Sequence, residues 1–258
     1  MRENFQETLR AMLPRLASLP GEVSVFGKDL ATGEAWAYQA DIPLVAASVI
    51  KIPILVEAFR QARDGLVSME ETFSIRPEQK MPSCGALTYL HDGLSVTLRD
   101  LCVLMIILSD NTATNILIDR LGMENVNQTL RGLDLSQTTL RRKLFDGQAA
   151  ARGIENTITA WEMGVLLEKI YREQCVSPEA DREMLSILLN QRLNGKMPFF
   201  LHGTKIAHKT GEDEGITHDV GIIFAHHPLV LCFTSNHTDV PAFERFIQDA
   251  AREFSAIA

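Results

Sequence analysis

Apolar residues recur at helical spacing near both ends of the chain. The first twenty residues place Leu9, Met12 and Leu16 on one stripe and stop at a Pro-Gly pair, a pattern that predicts an amphipathic helix. Residues 241–257 repeat apolar side chains in the same way, as a helix that covers a sheet does. A surface helix is therefore predicted at each end.

Short segments with the composition of β-strands lie just inside these helices. Residues 22–26 and 34–38 flank a stretch with Asp, Thr and Gly, which predicts a hairpin. Residues 205–209, 219–225 and 229–235 predict three further strands. Because neither group is large enough to form its own domain, the economical arrangement is one antiparallel sheet built from both chain ends.

The middle of the chain has helical patterns interrupted by Gly and Pro, so it is predicted to be predominantly α. The predicted fold class is α+β: an antiparallel sheet from both chain ends, flanked by helices, plus an all-α lobe. We expect one domain over residues 1–258, with an α/β lobe at about 1–47 and 203–258, an α lobe at about 48–202, and a cleft between the lobes.

Composition excludes one class of partner. The 258 residues include 25 Lys and Arg against 33 Asp and Glu, a net charge of −8, and 46% are hydrophobic. Binding to nucleic acid needs clustered basic residues, whereas those of this chain are scattered. We therefore expect a globular protein without a nucleic-acid partner.

Membrane insertion and metal binding also lack a signal. The longest apolar run, residues 101–108, is far shorter than the roughly twenty residues that span a bilayer. The first seven residues carry both charges and no apolar core, so we predict no signal peptide and, for the sequence as written, a cytoplasmic protein without a membrane partner. The four cysteines are irregularly spaced and predicted to be reduced and buried, and the seven histidines lack metal-site spacing, so no metal is expected.

Three short stretches carry candidate chemistry. Ser48 and Lys51 are three residues apart, so a helix would bring a hydroxyl and an amine together, and a desolvated lysine can activate a serine. The second stretch is Ser-Asp-Asn from Ser109, and the third is Lys-Thr-Gly from Lys209. Taken singly, each has a more common structural explanation: a helix cap, a second helix cap, and a strand end with a turn glycine.

Their joint occurrence changes this interpretation. S-x-x-K, S-D-N and K-T-G occur in this order at Ser48, Ser109 and Lys209. This set of motifs is typical of class A β-lactamases and penicillin-binding proteins. The chain resembles that family of active-site serine enzymes over nearly its whole length, and the resemblance implies the two-lobed fold described above, acting as one catalytic domain.

The resemblance implies roles for the residues of the first two motifs. Ser48 would be the nucleophile that accepts the acyl group, and Lys51 its activating partner. Ser109 would relay a proton to the leaving nitrogen, and Asn111 would bind the side-chain amide of the substrate. Asp110 is expected to brace its loop rather than to react.

The third motif would bind the substrate. Lys209 and Thr210 would hold its carboxylate, the lysine as a catalytic cation and the threonine through its hydroxyl. Gly211 lies between them and Glu212. The backbone N–H groups of Ser48 and Glu212 would form an oxyanion hole for the charge that develops on the attacked carbonyl.

One part of the family pattern is missing. In class A enzymes a glutamate two residues after the arginine of an Ω-shaped loop activates the deacylating water, but the residue two after Arg141 is Lys143. The aspartate that closes the loop is replaced by Asn156, so the usual ion pair cannot form. Asp146 and Glu155 are the candidate deacylation bases, Asp146 being the better placed of the two, although a surface charge is the commoner explanation for each.

The resemblance implies a cofactor-free serine β-lactamase of the EC 3.5.2.6 type, associated with antibiotic resistance, that acts on a β-lactam or an acyl-D-Ala-D-Ala-like small molecule. It also implies a periplasmic or secreted location if a leader has been removed. The alternatives are an enzyme similar to penicillin-binding proteins, D-alanyl-D-alanine peptidases or esterases, and a non-catalytic β-lactam receptor. An interaction protein with a relict site ranks last. The preferred substrate and the oligomeric state stay open.

Overall fold

The computed structural model describes residues 5–257. Residues 1–4, on which the expectation about a signal peptide partly rests, lie outside the described residues. The α-helices of the described part are α1 Phe5–Ala17, α2 Lys51–Arg63, α3 Leu98–Ile107, α4 Asn111–Leu121, α5 Met123–Gly132, α6 Gly147–Ala151, α7 Ala160–Tyr171, α8 Pro178–Leu189 and α9 Val240–Ser255. The strands are β1 Glu22–Asp29, β2 Ala35–Tyr38, β3 Leu44–Val45, β4 Thr72–Ser74, β5 Ser95–Thr97, β6 Thr157–Ile158, β7 Ile206–Asp213, β8 Ile216–Phe224 and β9 Pro228–Asn236.

The main sheet has five antiparallel strands in the order β2-β1-β9-β8-β7. Strand β1, from the start of the chain, pairs with β9, from its end, and Val25 lies opposite Phe233. Strand β7 is an edge strand that pairs with β8, Lys209 lying opposite Val220. This sheet confirms the predicted α+β class with an antiparallel sheet from both chain ends.

Helices α1 and α9 pack against each other and against the sheet, as their apolar stripes predict. Gly27 lies opposite Trp36 in the β1–β2 hairpin, and the Trp36 ring stacks on Phe254 of α9 at 4.3 Å. The core between helices and sheet comes from both chain ends and includes Leu9, Met12, Leu16, Val23, Val25, Leu231, Phe233, Phe243, Phe246 and Phe254. Burial of these apolar side chains is the main stabilising contribution to this layer.

Helix α2 is the centre of the α region. Ten of its residues are buried, and it contacts α3, α4, α5 and α8. A helix that is buried over most of its surface belongs to a core, so the polar side chains that it carries need partners. Burial raises the pKa of Glu57, but hydrogen bonds from Arg60, Thr129 and Gln61 outweigh that effect and hold the pKa below its usual value.

The chain divides into two compact units. The first contains the described residues up to Val49, Ile158–Glu168 and the residues from Leu193 onward, and the second contains Ile50–Thr157 and Lys169–Arg192. The boundary near residue 50 falls inside the S-x-x-K motif. That the whole chain forms one catalytic domain with lobes near the predicted limits stays a prediction. Among residues 5–257, none of the helices has the length and apolar character needed to cross a bilayer.

Several boundaries differ from those predicted. Strand β7 runs on to Asp213, past the glycine that was interpreted as a turn. Strands β4 and β5 pair within the α region, where no strand was expected, because three-residue strands are too short to show a period. Cys84 is exposed and not buried as predicted, whereas Cys102 and Cys232 are buried.

Candidate active site

Lys51 begins α2 and is fully buried. Its Nζ lies 2.8 Å from the backbone oxygen of Ser109, 2.8 Å from Ser109 Oγ and 2.9 Å from Asn111 Oδ1. A buried amine is costly without such partners, because burial removes its hydration. The second unit therefore brings Lys51, Ser109 and Asn111 together.

The backbone of Ser109 has an unusual conformation that makes these contacts available. Its φ is +54°, in the left-handed region that side-chain-bearing residues rarely occupy. In this conformation both the carbonyl oxygen and the side-chain oxygen of Ser109 contact Nζ of Lys51. Such strain persists only where the surrounding structure imposes it, and it is concentrated at functional sites.

Asp110 supplies part of that surrounding structure. Its Oδ1 accepts a hydrogen bond from Ala113 N at 2.9 Å and caps α4, while Oδ2 accepts from Ala86 N at 2.7 Å and Leu87 N at 2.9 Å. A Cβ on Gly85 would lie 2.4 Å from the Asp110 carboxyl carbon, so this approach needs glycine. Asp110 braces its loop, as expected from the sequence.

Asn111 is fixed by its neighbours. Its Nδ2 donates to Pro82 O at 3.1 Å and its backbone N–H to Cys84 O at 3.2 Å, while Oδ1 accepts from Lys51. The amide is thus held in one orientation. The second lone pair of the oxygen and the second amide hydrogen give it the chemistry needed to bind a peptide-like group.

In the first unit, Ser48 lies in a short 3-10 turn, Ala47–Ile50, directly before α2. Ala47 has a φ of +41°, so the turn is strained next to the candidate nucleophile. A Cβ on Gly211 would lie 3.3 Å from Ala47 Cβ and 3.2 Å from Val49 Cγ2. The glycine of the K-T-G motif therefore lets β7 pack against the residues on both sides of Ser48.

The remaining K-T-G residues follow one another along the edge strand β7. Lys209 and Thr210 are buried, and Lys209 Nζ donates to Thr210 O at 2.8 Å. Glu212 is exposed, but its carboxylate lies 3.0 Å from the ammonium of the buried Lys196. Lys196 lies beside this strand, but the sequence analysis did not identify it, because a single lysine after a glycine does not match any motif.

His218, on β8 opposite Gly211, is a second residue that the motifs did not identify. Its Nδ1 accepts from Ser235 N at 3.1 Å, so its Nε2, 2.9 Å from Val45 O, is the donor. Burial lowers the pKa of His218 to about 4, and the nearby Lys196 charge lowers it further while the bond to Val45 opposes the shift. The neutral ring ties the segment before Ser48 to the sheet.

The loop from Arg141 to Asn156 is closed without the usual ion pair. Asn156 Oδ1 accepts from the backbone N–H groups of Arg141 and Arg142, at 2.7 and 3.0 Å. The Arg142 guanidinium also pairs with Glu155 at 2.6 Å. The residues of this ion pair, Arg142 and Glu155, each lie one position inside Arg141 and Asn156, the positions at which the family has its ion pair. The spacing from Arg141 therefore does not predict how this loop is closed.

The centre of the loop is fixed to α4. Asn115 Nδ2 donates to Leu144 O and Leu144 N donates to Asn115 Oδ1, both at 2.9 Å. Lys143 pairs instead with Asp119, farther along α4. Asn115, Lys143, Leu144 and Asp146 are among the residues that line a cavity of about 300 Å³ in the second unit.

The two candidate bases of the loop have different settings. Glu155 is engaged by Arg142. Asp146 is exposed and caps the short helix α6 by accepting from Ala149 N at 3.0 Å. Within the described part of the chain, no cluster of three or more His, Cys, Asp or Glu side chains could hold a metal ion.

Known proteins match this chain closely in fold. The family model described as the beta-lactamase enzyme family matches residues 4–257. A beta-lactamase from Sphaerobacter thermophilus DSM 20745 is 30% identical over 99% of both chains, with a TM-score of 0.91. PBP-A is 26% identical over 98% of this chain and 96% of its own, with a TM-score of 0.88. A leucine-to-glutamate variant of PBP-A, 26% identical over 99% of this chain and 98% of its own, with a TM-score of 0.88, was solved as an acyl-enzyme complex with penicillin G.

The environment of His218 predicts a pH-dependent loss of stability. The pKa of His218 is about 4 in the folded protein, against 6.5 for an unperturbed histidine. The neutral ring therefore contributes fully to the free energy of unfolding above pH 6.5, and this contribution is lost as the pH falls toward 4. Between pH 7 and pH 4.5 this amounts to about 2 kcal/mol of unfolding free energy. Urea unfolding of wild type and His218→Gln at both pH values measures it.

The expected result is a loss on acidification that is about 2 kcal/mol smaller in His218→Gln than in wild type. His202→Gln, a change at an exposed histidine of the same unit, should behave as wild type. An NMR titration of the His218 ring gives an independent value. A ring pKa near 6.5, or equal pH dependence in all three proteins, would contradict the assignment.

Proposed function

The chain belongs to the beta-lactamase enzyme family, and we propose that it is a serine hydrolase that opens β-lactam rings through an acyl group on Ser48. The observation that carries the proposal is the buried contact of Lys51 with Ser109 and Asn111, in a chain that also carries S-x-x-K, S-D-N and K-T-G in order. A buried amine in contact with a serine hydroxyl is suited to moving protons. The proposal requires residues of both units to act on one substrate molecule.

In the acylation step, Ser48 Oγ attacks the lactam carbonyl carbon. The Oγ–C bond forms and the C–N bond of the ring breaks. The neutral amine of Lys51 takes the Ser48 proton, and Ser109 Oγ gives its proton to the leaving nitrogen while it recovers one from Lys51. The 2.8 Å contact between Lys51 Nζ and Ser109 Oγ supports this relay, since a hydroxyl both donates and accepts.

Binding and charge stabilisation are assigned to the first unit. The backbone N–H groups of Ser48 and Glu212 would stabilise the oxyanion, which develops only during the attack. Lys209 and Thr210 would hold the carboxylate of the substrate. The approach of Gly211 to Ala47 and Val49 supports this assignment, because it places the turn of Ser48 against this strand.

Deacylation is the slow half of the proposed reaction. Water must attack the acyl-Ser48 ester, release the ring-opened product and return a proton to Ser48 Oγ, and a general base speeds this step. The loop residue fixed to α4 by Asn115 is Leu144, which has no titratable group. Asp146 is retained as the better candidate base, because Glu155 is paired with Arg142.

A second function follows from the same loop. If no carboxylate reaches the water, the acyl group persists and the protein acts like a penicillin-binding protein, a related acyl-serine peptidase or esterase, or a β-lactam receptor. The lack of a glutamate at Lys143 or Leu144 is the observation that favours this alternative. A relative, the PBP-A variant, was solved with penicillin G as an acyl-enzyme.

The test is the intact-protein mass after mixing with benzylpenicillin, followed over time. We expect a mass increase equal to one penicillin, which decays slowly as the drug is consumed. Ser48→Ala should show no increase, and Ser186→Ala, a change on the exposed face of α8, should match wild type. A persistent increase would select the second function, and no increase in wild type would contradict acylation of Ser48 by this substrate class.

Placing a carboxylate at Leu144 should accelerate deacylation. Asn115 binds both the backbone N–H and the backbone C=O of Leu144. The side chain of a glutamate introduced at this position would therefore extend from a fixed backbone. In Leu144→Glu we expect the acyl-enzyme to decay about 10²-fold to 10⁴-fold faster, the range of general-base catalysis. The same time-resolved mass measurement gives the decay rate.

Two further variants complete this series. Leu144→Gln, which has the same shape without the charge, should decay at the wild-type rate. Asp146→Asn should slow decay if Asp146 is the native base, and an unchanged rate would remove Asp146 from that role. Equal decay rates for Leu144→Glu and Leu144→Gln would show that position 144 does not reach the water.

A further inference from the structure

Lys196 is a buried cation on the sheet side of the molecule that none of the motifs includes. Its side chain is 4% exposed. Its Nζ lies 3.0 Å from Glu212 Oε1, 3.2 Å from His218 O and 3.4 Å from Gly211 O, with Glu244 Oε1 at 3.8 Å. A buried lysine is rare unless it is paired, so this set of oxygen atoms calls for an explanation.

The backbone that carries Lys196 is itself anchored on both sides. Gln248 Nε2 donates to Gly195 O at 2.9 Å, and Met197 N donates to Asp219 Oδ2 at 2.9 Å. Asp219 is in turn held by His208 Nδ1 at 2.8 Å. The backbone on both sides of Lys196 is therefore held by contacts independent of those that its side chain makes with Glu212.

Two of the four contacts of Lys196 involve Gly211 and Glu212, the residues joined by one peptide bond. Gly211 O and the N–H of Glu212 belong to the same planar, trans peptide and point in opposite directions. Lys196 binds that peptide through its carbonyl oxygen, though the 3.4 Å contact is long, and through the side chain of Glu212, the next residue. An ammonium group at the carbonyl end also polarises the peptide, which makes its N–H a stronger donor.

We propose that Lys196 is a positioning residue that aims and strengthens the Glu212 N–H as an oxyanion donor. The inference rests on the proposed function, since the oxyanion forms only if Ser48 is acylated. Lys196 acts through the peptide and touches no reacting atom. Glu212 and Glu244 balance its charge, and Thr217 Oγ1 donates to Glu244 at 2.9 Å, which holds that carboxylate in place.

The test compares wild type with Lys196→Met, which keeps the length of the side chain and removes its charge. One readout is the rate constant of acylation at saturating benzylpenicillin, kept separate from the concentration that gives half-saturation. The other is the infrared carbonyl stretching frequency of the acyl-Ser48 ester, which falls as hydrogen bonds to that carbonyl strengthen. A purely structural ion pair would not change this frequency.

In Lys196→Met we expect the acylation rate constant to fall about tenfold, less than the 10²-fold to 10³-fold typical of deleting an oxyanion donor outright. The half-saturation concentration should change little, and the ester frequency should rise. Lys196→Arg should recover part of both effects. Lys205→Met, the same change at an exposed lysine of the same unit, is the matched control and should behave as wild type.

Glu212→Gln guards against a folding defect in the buried variant. The side chain of Glu212 is exposed, so the variant should fold. The substitution weakens the ion pair between Lys196 and residue 212, which is one of the contacts of Lys196 with this segment. A smaller frequency rise in the same direction is expected. Acylation of wild type with unchanged rate and frequency in Lys196→Met and Glu212→Gln would overturn the role of Lys196 while leaving the proposed function intact. No acylation of wild type would overturn both.

Discussion

An amine buried in a protein interior must be surrounded by oxygen atoms, and the second unit is organised around that requirement at Lys51. Helix α2 is buried along most of its length, and the amino group of Lys51 at its start is shielded from water. Ser109 meets the requirement twice, through its carbonyl and its hydroxyl, and it does so with a left-handed backbone conformation. Asp110 and Gly85 then stabilise that strained loop.

In the first unit, strand β7 closely approaches the turn that contains Ser48. Gly211 lets β7 lie against the residues on either side of Ser48, and the neutral ring of His218 binds Val45, just before that turn. Lys196 holds the same strand from the buried side. Gly211 thus allows the edge strand to approach the turn of Ser48, His218 links the segment before that turn to β8, and Lys196 contacts both β7 and β8.

Sequence patterns predicted the larger features of this protein well. Apolar periodicity located the terminal helices, and the two groups of strands predicted a sheet built from both chain ends, because these signals are local and repeat over many residues. The motifs led to Ser48, Lys51, Ser109 and Lys209, since their order along the chain is specific. What these residues do in catalysis stays a prediction.

Other features have no local signal. The left-handed Ser109, the neutral state of His218 and the contacts of Lys196 arise from residues far apart in the chain, so no periodicity or motif announces them. The closure of the loop from Arg141 to Asn156 also has no local signal, because Asn156 accepts backbone hydrogen bonds and the ion pair joins Arg142 to Glu155. Helix α4 holds both Lys143, through Asp119, and the backbone of Leu144, through Asn115, and the spacing from Arg141 indicates only the first of these two residues.

The most direct test of this account is the rate constant of acylation by benzylpenicillin in Lys51→Met, compared with wild type, on protein shown by circular dichroism to be folded. The account assigns the transfer of the Ser48 proton to the Lys51 amine. It therefore predicts a fall of about 10²-fold to 10⁴-fold, the range of general-base catalysis. A fall of less than about threefold, well short of that range, would contradict the role of Lys51 as the base that accepts the Ser48 proton.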